Sequence, residues 1–440
     1  MAHVALPPAA GNREGIAMTP SIGTQLQSFS RRTCSRIQPR PWETAARTLA
    51  LVVMALLSIG SAQADTARTA EAGPASEPTR PLAYVALRNA AAVLALDIDS
   101  GKTVARIPVG PLPLGTTASR DGTRVAVVTR ERTAVELIDT RTQTVIGQWL
   151  FRDLLRTAYE AKLSTAGLSD PTEGQIVSVL SRYTIGSVIL SGRGDTLFVI
   201  GREGTILRFD VASGKADMFG FQLGISPEFQ ALFGPSLHIF DTVGRLSADD
   251  RRLFVPDANR NGMMILDAEK LEVIGELPGL IYGNFDLARD DSLLAMLAFH
   301  FDVADLSAFT VRRVGRADYN PTHGGFAGAT SSAHWPVALS PDAHILYAPR
   351  NDALGRGSAT KPTMVVALDT RSGKRLAMRH IGDQPTDGLA VSPDGRRVVV
   401  VAPASNAVHV LDAQSLAPIR VIEVGPTPQA GVHFVVSAGK

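Results

Sequence analysis

The stretch "LAVSPDGRRVVVVAPASNAVHVLDAQS", residues 389–415, contains the pattern that decides the fold. It begins with a short apolar strand, which the turn Ser392-Pro393-Asp394-Gly395 follows. In such a turn proline fixes φ, aspartate accepts a backbone N–H, and glycine tolerates positive φ. The segments "RRVVVV" and "AVHVLD" are predicted as two further strands, and "APIRVIEV" (417–424) as a fourth. The stretch therefore predicts a unit of four short strands joined by turns and loops.

Looser copies of this unit follow one another along most of the chain. Related turns precede an apolar strand at Arg120-Asp121-Gly122, Gly192-Arg193-Gly194-Asp195, Ala248-Asp249-Asp250, Arg289-Asp290-Asp291 and Pro341-Asp342-Ala343. The third predicted strand ends in an aspartate in seven units, at Asp97, Asp139, Asp210, Asp267, Asp305, Asp369 and Asp412. Successive aspartates lie 38 to 71 residues apart, as expected for a unit of about 40 residues that carries insertions. Such a repeat is typical of a β-propeller.

The two ends of the repeat region complement each other. The region begins with "LAYVAL" (82–87), a second-strand sequence with no first strand before it. It ends with "AGVHFVV" (430–436), a first strand with nothing after it. We therefore predict an all-β fold over residues 82–436, a seven-bladed β-propeller of four-stranded blades. The C-terminal strand is expected to complete the N-terminal blade, so that the ring has no open edge.

The seven strand-terminal aspartates could be interpreted as a ring of functional carboxylates. A structural role is favoured, because each precedes a tight turn, as in "LDIDSGK" (96–102) and "LDTRSGK" (368–374). A carboxylate in that position can accept a backbone N–H of the turn that follows it. These residues are therefore predicted to hold turns.

The repeats resemble the YVTN-type β-propeller repeat family, which includes the periplasmic YncE-like proteins. The resemblance is carried by "AYVALRNAAAVLALDIDSGKTVARIPVG" (83–110), by the sequence from "ALDTRSGK" to "EVGPTP" (367–428), and by the PVGP and EVGP segments after the fourth strands. It covers residues 82 to about 436, but the middle units depart from the pattern through insertions. It implies the propeller fold and a binding role with no reaction attached, since one scaffold hosts many functions.

The N-terminus has the layout of a secretory signal. Scattered arginines are followed by an apolar run from Leu49 to Ile59, and Ala62-Gln63-Ala64 forms an A-x-A cleavage site. The run is about half as long as the roughly 20 residues of a membrane span, so no permanent span is expected. We predict that residues 1–64 are a Sec-type signal peptide cleaved near Ala64, and that the protein is periplasmic or secreted. Arg31-Arg32 leaves a twin-arginine route open.

Cleavage changes the charge and the chemistry available. Residues 1–64 contain six arginines and two glutamates, which leaves 38 basic and 40 acidic residues and a net charge of −2. A near-neutral chain lacks the positive field of a strong nucleic-acid binder, so nucleic acid is not an expected partner.

The single cysteine, Cys34, lies in the removed part, which excludes disulfides, iron–sulfur clusters, haem attachment and a cysteine nucleophile. No cofactor is predicted. The segment that follows the cleavage site, residues 65–81, is predicted to be a disordered linker.

Propeller connectivity predicts where the long insertions lie. Residues 151–185, 222–242 and 314–336 connect a fourth strand to the next blade, and residues 350–362 connect a second strand to a third. Loops of these two classes lie on the same rim of a propeller, so all four insertions are expected at one mouth. Long loops on a rigid scaffold commonly carry binding residues.

Three segments within these insertions are predicted to be helical. They are "FRDLLRTAYEAKL" (151–163), "SDPTEGQIVSVLSRY" (169–183) and "SPEFQALFG" (226–234). The latter two begin with a capping residue and a proline, which are helix start signals. The helices either cover sheet edges or form a lid or docking surface over the central channel.

Polar and aromatic residues at this mouth form the predicted binding site. Each alone is typical of a solvated loop, and the argument depends on their convergence. The candidates are His238, Asp257, Asn259, Arg260, Tyr282, Asn284, His323, His334, Trp335, Arg350, Asp387 and His433. The histidines lack the short spacing of a convincing ligand set, so no metal site is predicted.

Two classes of function fit such a site. The favoured hypothesis is a monomeric binding or scaffold protein that presents a one-sided pocket to a small ligand or a periplasmic protein partner. The alternative is a lactonase-like hydrolase, or a propeller subunit of an amine or quinoprotein dehydrogenase. A lactonase would use His334 or His238 to activate water and Arg260 or Arg350 to stabilise the oxyanion. No catalytic set is predicted, because the chain has neither a GxSxG elbow nor a P-loop.

Overall fold

A computed structural model describes one compact unit of the chain, within Pro74–Lys440. The described residues are 81–168, 180, 182–220, 231–234, 244–260, 262–280, 284–297, 301–315, 337–350, 364–381, 388–425 and 433–436. The predicted signal peptide and all of the predicted linker except Pro81 lie outside them. Within these ranges, no helix combines the length and the apolar character needed to cross a membrane.

The described strands form seven four-stranded antiparallel sheets, the blades of a β-propeller. Blade 1 contains β1 (Pro81–Leu87), β2 (Ala92–Asp97), β3 (Lys102–Pro108) and the C-terminal β28 (His433–Val436). Blade 2 contains β4 (Gly115–Ala118), β5 (Arg124–Thr129), β6 (Ala134–Asp139) and β7 (Thr144–Leu150). Blade 3 contains β8 (Ile185–Leu190), β9 (Thr196–Gly201), β10 (Ile206–Asp210) and β11 (Ala216–Phe219). Blade 4 contains β12 (Arg245–Leu246), β13 (Arg252–Asp257), β14 (Gly262–Asp267) and β15 (Val273–Pro278).

The last three blades repeat this order. Blade 5 contains β16 (Asn284–Leu287), β17 (Leu293–Leu297), β18 (Phe301–Asp305) and β19 (Thr310–Gly315). Blade 6 contains β20 (Ala338–Leu339), β21 (Ile345–Arg350), β22 (Met364–Asp369) and β23 (Arg375–His380). Blade 7 contains β24 (Gly388–Val391), β25 (Arg397–Ala402), β26 (Ala407–Asp412) and β27 (Pro418–Glu423). The predicted seven-bladed propeller is therefore confirmed.

The chain ends close the ring. Strand β28 pairs antiparallel with β1, in a register that places Val436 opposite Pro81 and His433 opposite Tyr84. The C-terminal strand thus supplies the first strand of blade 1, as predicted. Because β1 would otherwise present an unpaired edge, this pairing satisfies its backbone hydrogen-bonding groups.

Position within a blade explains the apolar patterns of the strands. The two middle strands are covered on both faces by neighbouring blades, so that Val398–Val401 of β25 are all fully buried. This accounts for continuous apolar runs where one-sided sheets would show alternation. The fourth strands form the outer surface and are mostly exposed, as in β27. The core consists of layers between adjacent blades, for example Val85, Val399 and Val408 between blades 1 and 7.

Helix α1 (Phe151–Ala166) follows β7 and packs on blade 3. Its buried face consists of Phe151, Leu154, Leu155, Ala158, Tyr159 and Leu163. The helix ends at Gly167, whose φ of 68° lets its N–H reach the carbonyl oxygens of Leu163 and Ser164. The helix predicted for 151–163 is confirmed. Most of the other two predicted helices lies outside the described residues.

All seven strand-terminal aspartates hold turns. In each case the carboxylate accepts a backbone N–H two or three residues ahead, at 2.6 to 3.1 Å. In four units a serine hydroxyl also donates to it, at 2.6 to 2.7 Å. These serine and backbone hydrogen bonds lower the carboxyl pKa of Asp210, Asp305, Asp369 and Asp412. The predicted structural role is therefore confirmed.

Candidate functional site: the central channel

The propeller has two different rims. The turn rim carries the tight turns after the first strands and after the third strands. The loop rim, opposite, carries the connections after the second and fourth strands. The strand bounds place the ends of all four predicted insertions at the loop rim, after β7, β11, β19 and β21.

The first strands of the blades, called here the inner strands, surround a central channel. Residues of β4, β8, β12, β16, β20 and β24 line a cavity of about 690 Å³. This volume is in the range of small-molecule binding pockets. The wall combines aliphatic side chains with a few polar and charged groups, which is the usual character of such a pocket.

The strand registers define one ring of equivalent positions, here the turn-side ring. In blades 2 to 7 each member lies two residues before the turn that ends its inner strand and pairs with the third residue of the next strand. In blade 1 no turn joins β28 to β1, and the equivalent residue is the one that pairs with Tyr84, the fourth residue of β1. In blade order the members are His433, Thr117, Ile189, Arg245, Asp286, Ala338 and Ala390. Only the backbone of His433 is described. Blades 4 and 5 thus contribute charged groups, whereas blades 6 and 7 contribute alanines.

An ion pair joins the two charged members of this ring. The Arg245 Nε donates to Asp286 Oδ1 at 3.0 Å, and its Nη1 donates to the carbonyl oxygen of Gly244 at 3.0 Å. The guanidinium carbon lies 5.8 Å from the centre of the Phe285 ring, within cation–π range. The backbone N–H of Leu339 donates to Asp286 Oδ2 at 2.9 Å. The pair therefore connects blades 4, 5 and 6 and fixes the guanidinium in the channel wall.

A second ring, called here the loop-side ring, lies nearer the loop rim. Each of its members lies two residues before the turn-side member of the same strand. Its described members are Gly115, Ser187, Asn284 and Gly388. The Ser187 hydroxyl oxygen is buried and has no hydrogen-bond partner among the described residues. Among the described members of the two rings, the charged and amide groups thus come from blades 4 and 5, whereas the members from blades 6 and 7 are alanine and glycine.

Two arginines cross the turn-rim end of the channel. Arg120 of blade 2 donates to the carbonyl oxygens of Ser247, at 2.9 Å, and Ala248, both in blade 4. Arg289 of blade 5 donates to the carbonyl oxygen of Pro393 in blade 7, at 3.0 Å. Both side chains line the cavity. Each side chain reaches past one blade to contact the second blade along the ring, and the two therefore narrow the turn-rim end of the channel.

Arg132 lies at the loop-rim end and is held by an unusual backbone. Arg130, Glu131 and Arg132 have φ values of 51°, 50° and 73°, a left-handed conformation that non-glycine residues rarely adopt. The Arg132 Nη1 donates to the carbonyl oxygens of Ile185 and Gly186 in blade 3, at 3.1 and 3.2 Å. Such strain persists only where surrounding contacts enforce it, and it is often found near binding sites.

The predicted site residues in blade 4 mainly hold a turn. Asp257 ends β13, is 1% exposed, and accepts the backbone N–H of Asn259 at 3.0 Å. The Arg260 guanidinium pairs with Asp257, at 3.6 Å, and with Glu276, at 3.7 Å. None of the predicted trio, Asp257, Asn259 and Arg260, is among the residues that line the channel, whereas the predicted Asn284 is.

The other predicted residues are less fully described. Arg350 is the last residue of β21, which places its backbone at the loop-rim end of that strand, whereas His433 pairs with Tyr84 and belongs to the turn-side ring. Six candidates lie outside the described residues: His238, Tyr282, His323, His334, Trp335 and Asp387. In the part of the chain that the structure describes, no three histidine, cysteine, aspartate or glutamate side chains form a group that could hold a metal ion.

Sequence reasoning missed Arg245 and Asp286, the charged centre of the channel wall. A signal for them does exist. In "RLS" (245–247), "DLA" (286–288) and "TAS" (117–119) the first residue lies two positions before the turn. Alignment of the blades on their turns therefore brings these residues to equivalent positions of the channel wall.

Comparison with known proteins shows similarity of fold only. No family model matches the chain, and no curated protein matches it. A solved structure described as a functionally unknown protein from Desulfotomaculum acetoxidans DSM 771 is 9% identical, with a TM-score of 0.52, and the match covers 80% of this chain and 98% of that one. The structure described as dihydro-heme d1 dehydrogenase NirN in complex with DHE is 15% identical, with a TM-score of 0.49. The match covers 83% of this chain and 78% of that one. Kuenenia stuttgartiensis hydrazine synthase is 14% identical, with a TM-score of 0.49. The match covers 74% of this chain and 96% of that one.

Proposed function

We propose that this chain is an exported binding propeller, of the YVTN and YncE-like type, that holds a small ligand in its central channel. The observation that carries the proposal is the asymmetric wall of the channel. Blades 2 to 5 supply Thr117, Arg132, Arg245, Asp286 and Asn284, whereas blades 6 and 7 supply mainly aliphatic side chains, such as Ala338 and Ala390. Such a wall provides polar groups that orient a ligand and space for its body.

The rigidity of the scaffold supports the same proposal. The inner strands are fixed by ladder hydrogen bonds to buried second strands, and Arg245 is fixed by Asp286, Gly244 and the Phe285 ring. A ligand that enters from the loop rim therefore meets groups that are already in position, which keeps the ordering cost of binding low. The export part of the proposal is supported by the signal-like sequence of residues 1–64.

The test compares the ligand content of channel-blocking variants with that of the unmodified protein. The full chain is produced in a bacterial host, recovered from the periplasmic fraction and examined by native mass spectrometry. Ala390→Trp and Ala338→Trp each place a large ring in the turn-side ring. We expect the unmodified protein to retain a small molecule and both variants to lose it. Ala212→Trp, at an exposed turn of blade 3, is the matched control and should retain the molecule.

Recovery from the cytoplasm alone would contradict export. Absence of any retained or rebound small molecule would contradict the binding role, and so would equal retention by the three variants, provided that thermal melting shows them folded. Hydrolysis of a lactone that His334→Ala abolishes would replace the proposal by the enzymatic alternative.

A further inference from the structure

We propose that the channel selects a small organic anion, whose acid group binds Arg245 and whose apolar body lies against the alanine wall of blades 6 and 7. This inference rests on the proposed function and specifies the class of its ligand. It is carried by the charges of the channel wall, the free edge of one guanidinium, and the apolar surface across the channel from it.

The described channel wall carries an excess of positive charge. Its ionisable side chains are Arg120, Arg132, Arg245, Arg289 and Asp286. These five groups give a formal excess of three positive charges, which falls to two when Asp250, paired with Arg120 at 3.5 Å, is included. The mature chain as a whole is expected to be near neutral. The walls are otherwise largely aliphatic, and a low-dielectric cleft lined by one sign of charge concentrates ions of the opposite sign. The wall therefore favours an anion over a neutral or cationic molecule of the same size.

Arg245 offers the best-defined contact for that anion. Its Nε is occupied by Asp286 and its Nη1 by Gly244, whereas its Nη2 donates to no protein group among the described residues. The two oxygens of Asp286 accept from Arg245 Nε and from the Leu339 N–H, and neither accepts from this nitrogen. The side chain of Arg245 is 30% exposed and is among the residues that line the cavity. A hydrogen bond from a fixed guanidinium to an anion is among the stronger ones.

The opposite side of the channel fits an apolar group. Ala390 of blade 7 lies across the seven-membered ring from Arg245, and Ala338 of blade 6 lies beside it. Leu389 and Val391 also line this side. Small side chains leave room, and the aliphatic surface favours hydrocarbon over water. The ligand is therefore expected to be amphiphilic, with one acidic end.

The test uses three probes of equal length that differ in charge: hexanoate, hexan-1-ol and hexylammonium. Isothermal titration of the full chain should show binding of hexanoate at least about tenfold tighter than that of either other probe, because a charge-assisted hydrogen bond is gained. Added salt should weaken the binding of hexanoate, because it screens the charge of the channel wall.

Variants at position 245 assign the effect to one guanidinium. Arg245→Gln should weaken hexanoate binding by about tenfold or more, and Arg245→Lys, which keeps the charge, should retain most of it. Arg252→Gln is the matched control. Arg252 also belongs to blade 4, lies 5.7 Å from the centre of a phenylalanine ring and pairs with an aspartate of blade 5, but it is not among the lining residues of the channel. Its replacement should leave hexanoate binding unchanged.

Each outcome decides the inference. The inference is supported if hexanoate binds more tightly than the other two probes and if its affinity falls only in Arg245→Gln. Equal or tighter binding of the alcohol or the ammonium ion, no binding of hexanoate, or equal losses in Arg245→Gln and Arg252→Gln overturns it. The proposed function fails by a different observation, namely retention of the native small molecule by Ala390→Trp, so the two failures can be distinguished.

Discussion

Aspartates in this protein hold turns far more often than they line the channel. Asp97 and Asp412, for example, accept hydrogen bonds from residues two or three positions ahead. Asp394 at the turn rim accepts the hydroxyl of Ser392 at 2.5 Å, and the same contact recurs in other blades. Asp286 differs, because its partners are Arg245 and Leu339 of the two neighbouring blades. The same residue type therefore stabilises a local turn in one position and joins three blades in another.

This difference explains which residues could be predicted from the sequence. The contacts of the turn aspartates span two or three residues, so the pattern of letters contains both partners. The contact between Arg245 and Asp286 spans 41 residues. It depends on the register of β12 and β16 and on the insertion that precedes blade 4. Neither can be read from a single sequence. The predicted binding site was built from polar residues at the mouth of the propeller, and it therefore did not include this pair.

The turn carboxylates predict how stability depends on pH. The side-chain hydroxyl and then the backbone N–H of Ser415 lower the pKa of Asp412. The folded state thus favours the ionised carboxyl, so its contribution to stability is complete above the unfolded pKa of about 3.9 and is lost as pH falls through the lower folded value. We expect Asp412→Asn to lower the free energy of unfolding near neutral pH and to have a smaller effect at about pH 3.

The measurement is urea unfolding of both proteins across this range of pH. Glu423→Gln is the control, because this exposed carboxylate of β27 accepts no hydrogen bond from the described residues. A constant difference between Asp412→Asn and the unmodified protein at every pH would show that the contact does not depend on ionisation.

At the scale of elements, the register of an inner strand decides what the channel contains. Successive side chains of a strand point to opposite faces, so a shift of one residue exchanges its two sets of side chains. In β12 such a shift would move Arg245 out of the turn-side ring, where it pairs with Asp286. The pairing of Arg245 with Phe254 and of Leu246 with Leu253 excludes this alternative. The charge of the channel is therefore a consequence of strand register.

Helix α1 shows how an insertion becomes part of the fold. The helix lies between β7 of blade 2 and β8 of blade 3, and its Tyr159 ring stacks on Phe233, with centroids 5.6 Å apart. Its apolar residues recur at helical spacing, which made it predictable. The residues of the other long insertions lie mostly outside the described ranges, and their predicted helices remain predictions.

The packing of α1 predicts a stability difference between adjacent positions. Leu155 is fully buried, and Leu155→Ala should lower the free energy of unfolding by about 3 kcal/mol, because it removes apolar contacts and leaves a cavity. Arg156→Ala removes only an exposed pair with Glu160, at 2.8 Å, and should lower the free energy of unfolding far less than Leu155→Ala does. Urea unfolding measures both. Equal effects of the two variants would contradict the assignment of the buried face.

At the scale of the whole molecule, the seven-bladed ring was the most predictable feature. The repeat is visible seven times, and each chain end carries the part of a blade that the other lacks. The asymmetry of the rims follows from connectivity, since the tight turns and the long links alternate along every blade. The contents of the channel were less predictable, because neighbouring wall positions come from different blades, as Arg245 and Asp286 do across 41 residues.

Closure by β28 predicts that the C-terminal strand stabilises the entire ring. Truncation after Gly425 removes β28, so β1 loses its partner from Pro81 to Tyr84 and fully buried Tyr84 loses the strand beside it. We expect a large fall in melting temperature, measured by circular dichroism, and rapid proteolysis near the N-terminal blade, because an exposed edge and its apolar face are left unpaired.

Removal of residues 437–440 alone, which follow β28, is the control and should have little effect. A synthetic peptide of residues 426–440 should restore the melting temperature of the truncated protein by adding the missing strand in trans. Unchanged melting after truncation would show that the ring does not depend on the pairing of its two ends.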